Sequence, residues 1–260
     1  AAEEHRETLV VTLDRPPANA LHRELIRELT KLFVDLGDQR DAPPIVLTGR
    51  GDRFFTAGGD IKELDGAPQQ ELTARMREFH ALLVAMERYP RPVICAVNGH
   101  CVGGGMEIAL FADTVLAVKE ARFGFPEINH GLLPADKGIQ RAVKLLGARA
   151  TRKMLLTGAL FDVHHALEIG LVDILVDDPT ELVDAAVTSA TEAGTKAPVL
   201  YAALKRSIND PDDAHDETSQ QHTLLAAAAY FPDPAASALR EAWNDNRPRR
   251  ADTTNPTDTP

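Results

Sequence analysis

The chain contains five short apolar runs rich in β-branched residues within its first 176 residues. They lie at residues 9–13, 45–48, 93–97, 114–118 and 171–176, and their length and composition predict buried strands. Between them, apolar residues recur with helical spacing, first over 21–36, then after Asp60 and Gly103, and again over 149–154 and 166–171. Glycine-marked turns and short apolar segments separate strands from helices. The pattern predicts an α/β protein of strand-turn-strand-helix units, whose loops gather at one edge.

The chain becomes alanine-rich and helical after the Asp-Asp-Pro sequence at 177–179. Helical spacing predicts helices over 182–193, 199–208, 219–230 and 235–243. Such short helices need packing on the core or on another subunit to be stable. The last residues, 247–260, are mostly Pro, Thr, Asp and Arg, which predicts a solvated tail.

Charge and composition exclude several classes of function. Lys and Arg total 28 against 39 for Asp and Glu, a net charge of −11, which disfavours nucleic acid as a partner. No apolar run approaches the roughly 18 to 20 residues of a bilayer span. Cys95 and Cys101 lie in an apolar, glycine-rich stretch, which is typical of buried thiols in a reducing compartment. With no signal-peptide pattern at the start, we expect a soluble cytoplasmic protein with no membrane partner.

Two glycine clusters precede predicted helices. Residues 57–60 read Ala-Gly-Gly-Asp, and residues 103–107 read Gly-Gly-Gly-Met-Glu. Without Cβ atoms these loops can approach a ligand closely, and the unsatisfied N–H groups of a helix start favour an anion. Two equivalent loops can direct two backbone N–H groups onto one oxygen as an oxyanion hole. Either cluster taken alone is more often a tight turn.

Other familiar site patterns are missing from the sequence. Gly99 and Gly104 have the spacing of a P-loop, but Gly105 stands where its lysine is required, and no strand-linked dinucleotide fingerprint occurs. None of the four serines lies in a nucleophile elbow. The histidines, including the adjacent His164 and His165, form no ligand pair with a supporting carboxylate. We therefore expect neither a nucleotide triphosphate, NAD, a serine nucleophile nor a metal.

Two glutamates stand among apolar residues close to these loops. Glu107 follows the triple glycine, and Glu127 follows Phe125-Pro126. An acidic residue at the start of a helix ordinarily caps the helix or interacts with its dipole. This structural role is the alternative to a catalytic role for Glu107. A partly buried carboxyl has a raised pKa and can exchange protons near neutrality, and a pair in one pocket can divide the roles of base and acid.

The sequence resembles the enoyl-CoA hydratase/isomerase (crotonase) family. The resemblance runs from about residue 9 to residue 176 and rests on residues 15–21, 46–49, 55–62, 92–99, 103–107, 123–127, 157–158 and 170–172. It implies a spiral of strand-strand-helix (ββα) repeats with a C-terminal helical trimerisation region, often assembled as a hexamer of two trimers. The implied domains are a spiral core over 1–194, a helical oligomerisation region over 195–246 and a flexible tail over 247–260.

The resemblance also implies roles for four residues. Gly59 and Gly104 correspond to the two backbone donors to a thioester carbonyl oxygen. Glu107 and Glu127 correspond to an acid/base pair that holds a water, with Glu107 assisting attack at C3 and Glu127 delivering a proton to C2. Adding water to an unsaturated thioester builds negative charge on the carbonyl oxygen, which fixed donors stabilise. The implied reaction is syn hydration of a 2-enoyl-CoA to a 3-hydroxyacyl-CoA, with CoA as part of the substrate and no separate cofactor.

Further substrate contacts follow from the same resemblance, and so do departures from the family pattern. The implied substrate-binding residues are Ala18, Ala20, Leu21, Ala57, Asp60, Ile61, Lys62, Pro134 and Ala135. Ala135 and Lys137 stand where glycines are usual, and Pro17 replaces a frequent lysine near the CoA adenine and phosphates. Ala135 occupies a position whose backbone N–H commonly helps hold the water. We expect a bulky Lys137 to alter the acyl pocket, which residues 65–86 border.

Two alternatives to a hydratase remain at this stage. A double-bond isomerase, or another activity on CoA thioesters, uses the same oxyanion hole and the acid at Glu127. A non-catalytic acyl-CoA-binding member is the alternative from another class, but two buried carboxyls are costly for a protein that only binds. We expect self-association as a trimer or hexamer through the helices after Thr195.

Overall fold

Two sheets organise the fold in a computed structural model of the chain, which describes residues 2–5, 7–64, 66–209, 217, 220–221, 224–225, 227–228 and 231–245. The strands are β1 (Ala2–His5), β2 (Thr8–Leu13), β3 (Ile45–Gly49), β4 (Phe54–Thr56), β5 (Val93–Val97), β6 (His100–Val102), β7 (Thr114–Val118), β8 (Arg122–Gly124), β9 (Phe161–Asp162) and β10 (Ile174–Val176). The larger sheet has the order β1-β2-β3-β5-β7-β10 and the smaller one β4-β6-β8-β9.

Helices surround the two sheets. They are α1 (Arg23–Gly37), α2 (Gln69–Arg88), α3 (Gly104–Leu110), α4 (Asp136–Leu146), α5 (Ala148–Thr157), α6 (Val163–Glu168), α7 (Leu182–Gly194), α8 (Pro198–Asn209) and, at the end of the described residues, α9 (Pro234–Asp245). No helix in the described ranges has the length and apolar character required to traverse a bilayer.

Each repeat sends one strand to each sheet and then forms a helix. β3 and β4 lead to α2, β5 and β6 lead to α3, and β7 and β8 lead to α4. The pairs β2–β3, β3–β5 and β5–β7 are parallel, as are β4–β6 and β6–β8. Every residue of β3 and β5 is buried, since helix α7 packs on both strands and β4 of the smaller sheet contacts both as well. The predicted spiral of ββα repeats is confirmed.

Local boundaries differ from the sequence prediction at several places. The helix expected from Asp60 is only a 3₁₀ turn, Ile61–Glu63, because Asp60 caps that turn and Pro68 starts the next helix at Gln69. The late strand is Ile174–Val176, shorter than the predicted 171–176. Helix α4 was not predicted; it begins directly after Ala135.

The C-terminal predictions are only partly within the described residues. Helices α7, α8 and α9 match the predictions over 182–193, 199–208 and 235–243. The predicted helix over 219–230 lies largely outside the described residues, and the predicted tail over 247–260 lies wholly outside them. Helix α7 packs on β2, β3, β5 and β7, and α8 contacts α2. The division of the chain at residues 194 and 246 stays a prediction.

Candidate active site

The two glycine loops lie against each other between the sheets and the helices. Gly58 has a φ of +81°, and a Cβ built on it would lie 2.9 Å from the Val102 carbonyl oxygen and 3.0 Å from the Gly104 nitrogen. Gly103 has a φ of +56°. Only glycine adopts these conformations without strain and permits such a close approach. The local sequence therefore brings the loop at 57–60 onto the start of α3.

Two backbone amides at this junction donate no hydrogen bond within the part of the chain that is described. They belong to Gly59 and Gly104, which line the same cavity. Gly104 is the first residue of α3, so its N–H has no partner within the helix. Gly59 is held by a parallel bridge to Leu21, whose N–H donates to the Gly58 oxygen at 2.8 Å. Both residues line the cavity, where an oxygen of a bound molecule could accept from their amides.

Glu107 places a buried carboxyl on the first turn of α3. The residue is 2% exposed, and its Oε1 accepts a hydrogen bond from the Ala135 N–H at 3.1 Å. The donor, Ala135, lies outside α3, and no side chain caps α3. Glu107 is therefore not a capping residue. Burial raises the pKa of Glu107 well above its ordinary value, and the negative charge of Glu127 raises it further.

Glu127 lies in a 3₁₀ turn, Pro126–His130, that follows β8. The residue is only partly covered, but its Oε2 is buried and has no hydrogen-bond partner among the described residues. Its Oε1 lies 2.6 Å from the point where a Cβ on Gly103 would stand, so the carboxyl packs directly on the glycine loop. Burial raises the pKa of Glu127 to about 8. This carboxyl is therefore largely protonated near neutrality and can act as an acid.

One cavity of about 90 Å³ joins the two amides and the two carboxyls. Most of its wall is apolar, while Arg75 and His130 are its other ionisable groups. The lining residues are Leu21, Ala57, Gly59, Ile61, Leu64, Arg75, Met76, Phe79, Gly103, Gly104, Glu107, Pro126, Glu127, His130, Leu132, Leu133 and Ala135. The arrangement can bind an oxygen anion at the amides and exchange protons at a carbon nearby.

The substrate-binding residues expected from the sequence fall into two groups. Leu21, Ala57, Ile61 and Ala135 line the cavity, whereas Ala18, Ala20, Asp60, Lys62 and Pro134 do not. The Ala18 and Ala20 carbonyls accept backbone hydrogen bonds that shape the first loop. Lys62 is exposed and Pro134 is buried.

Asp60 is a structural residue in the described chain. Its carboxylate forms an ion pair with Arg15 and accepts a hydrogen bond from the Lys62 N–H at 3.0 Å. Both contacts hold the first loop on the turn that follows Gly59. A partner 45 residues away could not be identified from the local sequence around Asp60.

Lys137 does not line the cavity, and its effect on the acyl pocket stays a prediction. Its Nζ lies 2.7 Å from Glu87 Oε2, and both side chains are less than a tenth exposed. Arg141 faces the same carboxylate at 3.7 Å. The attraction of this buried anion draws Lys137 away from the cavity and ties the start of α4 to the end of α2.

Sequence reasoning missed Arg75, Met76 and Phe79, although it placed residues 65–86 at the border of the pocket. These three residues occupy one stretch of α2 and line the cavity. Their helical spacing is also that of an ordinary core face, so the sequence carried no signal that separates them. His130, Leu132 and Leu133 were missed for the same reason. Within the described residues, His, Cys, Asp and Glu side chains form no group of three suited to a metal.

Comparisons with known proteins agree with this fold. A family profile, Enoyl-CoA hydratase/isomerase, matches residues 3–236, so the chain belongs to the enoyl-CoA hydratase/isomerase family. Among its relatives is the short-chain-enoyl-CoA hydratase of Clostridium acetobutylicum, 34% identical over 80% of this chain and 79% of that protein. The carnitinyl-CoA dehydratase of Citrobacter koseri is 32% identical over 88% of this chain and 87% of that protein.

Solved structures of related proteins share the whole fold. An enoyl-CoA hydratase/isomerase from Pseudoalteromonas atlantica superposes with a TM-score of 0.83 at 25% identity, covering 95% of this chain and 97% of that one. A carnitinyl-CoA dehydratase from Mycobacterium avium gives a TM-score of 0.82 at 29% identity, covering 94% and 96% of the two chains. The chain thus has both the sequence profile and the fold of the enoyl-CoA hydratase/isomerase family.

Proposed function

We propose that this protein is a hydratase that adds water to a 2-enoyl-CoA thioester and forms a 3-hydroxyacyl-CoA. One observation supports the proposal above all others. Two backbone amides without an acceptor among the described residues and two carboxyls of raised pKa line the same cavity. An isomerase needs one proton-transferring group, whereas hydration needs one group to activate water and another to protonate carbon. The presence of both carboxyls favours hydration. The proposed reaction requires no cofactor, because CoA belongs to the substrate.

In the proposed mechanism the amides of Gly59 and Gly104 bind the thioester oxygen. Glu107 takes a proton from water as the water attacks C3, which moves electrons through the double bond onto the thioester oxygen. Glu127 then gives its proton to C2 as the carbonyl re-forms. Fixed donors at the oxygen stabilise the enolate charge without reorganisation. The protonated state of Glu127 near neutrality, with a pKa of about 8, supports its role as the acid.

The cavity wall also bears on the acyl group. Its wall is largely apolar, and apolar side chains cannot replace the hydration of the quaternary ammonium group of a carnitinyl thioester. An uncharged acyl chain is therefore the better fit, although some relatives are named carnitinyl-CoA dehydratase. The dehydration of a 3-hydroxyacyl-CoA is the same reaction in reverse and uses the same groups.

The test is the consumption of crotonyl-CoA, followed by the loss of absorbance of its conjugated thioester. We expect Glu127→Ala to abolish the reaction and Glu107→Ala to reduce it severely. Glu24→Gln, at a side chain 79% exposed on α1, is the control and should behave as the wild type. Conversion of a 3-enoyl-CoA without hydration of crotonyl-CoA would identify an isomerase. Binding of acyl-CoA without either reaction would identify a non-catalytic member.

We also propose that copies of the chain associate as a trimer or hexamer. Leu200, Leu204 and Ile208 stand four residues apart on one face of α8 and are 62%, 64% and 66% exposed. Exposed apolar side chains so aligned favour contact with a second copy. Light scattering should give a trimeric or hexameric mass that Leu204→Asp lowers and Val34→Asp, on α1, does not. A monomeric mass for the wild-type protein would contradict this proposal.

A further inference from the structure

The turn that carries Glu127 is a short piece of backbone. It spans Pro126–His130 in 3₁₀ geometry and ends at Gly131, whose φ is +65°. The N–H groups of Gly131 and Leu132 both donate to the Glu127 carbonyl oxygen, the second at 3.0 Å. Hydrogen-bond geometry in a 3₁₀ turn is poorer than in an α-helix. The direction of the Glu127 side chain therefore depends on the groups that hold the turn from outside.

Arg240 on α9 contacts the end of this turn. The residue is 7% exposed, and its Nη1 donates a hydrogen bond to the Gly131 carbonyl oxygen at 2.7 Å. Its Nη2 donates to the Phe231 carbonyl oxygen at 2.7 Å and to Ser237 Oγ at 2.8 Å. Helix α9 also packs on the turn itself. One guanidinium thus joins the end of the Glu127 turn to α9 and to the residues that lead into this helix.

A second attachment holds the middle of the turn. Asn129 Nδ2 donates a hydrogen bond to the Gly158 carbonyl oxygen at 3.1 Å. Gly158 ends α5 with a φ of +61°, and a Cβ built on it would stand 2.3 Å from the same nitrogen. The turn is therefore attached to α5 at Asn129 and to α9 at Gly131. Removal of the Arg240 side chain takes away the second attachment and leaves the first in place.

Arg240 also supports the apolar wall of the cavity next to the turn. Leu132 lines the cavity and forms an apolar cluster with Leu64 and Leu72, against which the partly buried Phe231 packs. The Arg240 guanidinium lies over the Phe231 ring, 5.1 Å from its centroid. Arg240 therefore holds the backbone just before Leu132 and also contacts the ring that packs against this cluster.

We propose that Arg240 is a positioning residue that holds the turn carrying Glu127 against the cavity through the Gly131 carbonyl. This inference deepens the proposed hydratase function and rests on it. Arg240 does not line the cavity, so it acts on the reaction through the turn. The fork of arginine bonds several acceptors at once, whereas the ammonium group of lysine is a compact charge on a flexible stem. A loosened turn would misplace the proton that Glu127 delivers to C2.

The first experiment compares Arg240→Met, Arg240→Lys and Ser237→Ala with wild type in crotonyl-CoA hydration. Arg27→Met is the matched control, because Arg27 is 57% exposed on α1, and it should keep the wild-type kcat. We expect Arg240→Met to lower kcat about tenfold with a smaller change in KM. This loss is smaller than the about 10²-fold cost of a misplacement of about 1 Å, because α5 still holds Asn129.

The other two variants separate the Gly131 contact from the rest of the cluster. Arg240→Lys keeps the charge and should recover part of kcat. Ser237→Ala leaves the hydrogen bond to Gly131 in place and should lower kcat less than Arg240→Met. A wild-type kcat in Arg240→Met, or equal losses in Arg240→Met and Ser237→Ala, would overturn the inference.

The pH profile gives a readout that a merely structural role would not move. Burial raises the pKa of Glu127 to about 8. The other ionisable groups of the cavity are Glu107 from α3, Arg75 from α2 and His130 of the turn, and every variant keeps them. Burial lowers the pKa of His130, so this group titrates at lower pH than Glu127.

A loosened turn admits water to the Glu127 carboxyl, so its pKa falls toward the ordinary value. The basic limb of the kcat profile should therefore move to lower pH in Arg240→Met and stay at its wild-type place in Arg27→Met. An unmoved basic limb in Arg240→Met would contradict the release of the turn and overturn the inference.

A second experiment requires no turnover and separates the inference from the proposed function. Amide hydrogen exchange, followed by mass spectrometry, reports opening of the turn through the N–H groups of Gly131 and Leu132. Both should exchange faster in Arg240→Met, while the buried strand β5 should exchange as in wild type. Arg27→Met should change neither segment.

The exchange result has two distinct readings. If crotonyl-CoA is inert but the turn exchanges faster in Arg240→Met, the hydratase proposal fails and the role of Arg240 in holding the turn stands. Equal exchange of the turn in Arg240→Met and wild type, or an equal acceleration in the turn and in β5, would overturn the role of Arg240.

Discussion

Gly138 lies against the candidate base from the first turn of α4, and its replacement by alanine tests the geometry of the site. A Cβ at this position would stand 2.2 Å from Glu107 Oε1 and 2.7 Å from its carboxyl carbon. Gly138 is in a helix and its φ is not in the left-handed region. Helix propensity alone favours alanine over glycine by about 1 kcal/mol. The steric contact with Glu107 therefore opposes the intrinsic preference of the helix.

The size of the effect follows from the displacement that the new methyl group requires. Ordinary van der Waals contact begins at 3.4 Å, so a contact at 2.2 Å forces a separation of about 1.2 Å between Cβ and Oε1. Either the Glu107 carboxyl or the start of α4 must shift, and both carry the 3.1 Å hydrogen bond from the Ala135 N–H. A misplacement of about 1 Å at a reacting group costs about 10²-fold in rate. We expect kcat of Gly138→Ala to fall by this amount.

The assay is crotonyl-CoA hydration together with thermal unfolding. Gly37→Ala is the matched control, because Gly37, the last residue of α1, is also a helical glycine with a φ outside the left-handed region, and its Cβ would meet Pro90 and Tyr89 at an ordinary 3.6 Å. Gly37→Ala should keep wild-type kcat and lose no stability. A Gly138→Ala variant with wild-type kcat and KM would refute the placement of Glu107 against α4 and its role as the base.

Three further predictions concern buried charges. In wild type, kcat should fall as pH rises through about 8, because Glu127 then loses the proton that it delivers. The pKa of this carboxyl is raised from 4.5 to about 8 on folding, so the folded state binds the proton more tightly, and the free energy of unfolding should decline as pH rises across that interval. Glu127→Gln should make this decline shallower in denaturant titrations, while Glu107, whose pKa is also raised by burial, still contributes to it; a slope equal to wild type would contradict the burial of Glu127. Lys137→Met should cost about 3 kcal/mol by leaving Glu87 buried with a poorer partner, whereas Lys31→Met, in an exposed pair with Asp35, should cost less than about 1 kcal/mol; equal midpoints for the two variants would refute the buried pair.

The sequence identified the parts of the site whose chemistry is local. The strands over 93–97 and 114–118 were predicted with their observed bounds, since a short β-branched run in a parallel sheet is recognisable by itself. The glycine clusters were recognised in the same way, because each permits a close backbone approach that other residues forbid. The two acids stood out as charged residues among apolar neighbours. All these signals lie within a few residues of the feature that they predict.

What the sequence could not supply were contacts between distant segments. Asp60 was expected at the substrate, and the structure shows in addition that its carboxylate pairs with Arg15, 45 residues earlier in the chain. Lys137 was expected in the acyl pocket, but Glu87, which is 50 residues earlier in the chain, holds its amine. Arg75 has no local signal at all, because a charged residue on a helix is most often solvated. Each outcome depends on which anion or carbonyl the fold places opposite the side chain.

The amino-acid sequence by itself determined the ββα repeats, the glycine loops and the residue types that the proposed reaction requires. Hydrophobic spacing and glycine conformations depend on residues close together in the sequence, so they can be recognised without a structure. Only the tertiary structure decided that the Gly59 and Gly104 amides find no acceptor among the described residues, that Ala135 donates to Glu107, and that Arg75 packs against Gly59. The reason is physical: the pKa of a carboxyl and the partner of a buried charge depend on atoms that are close in space and remote in sequence.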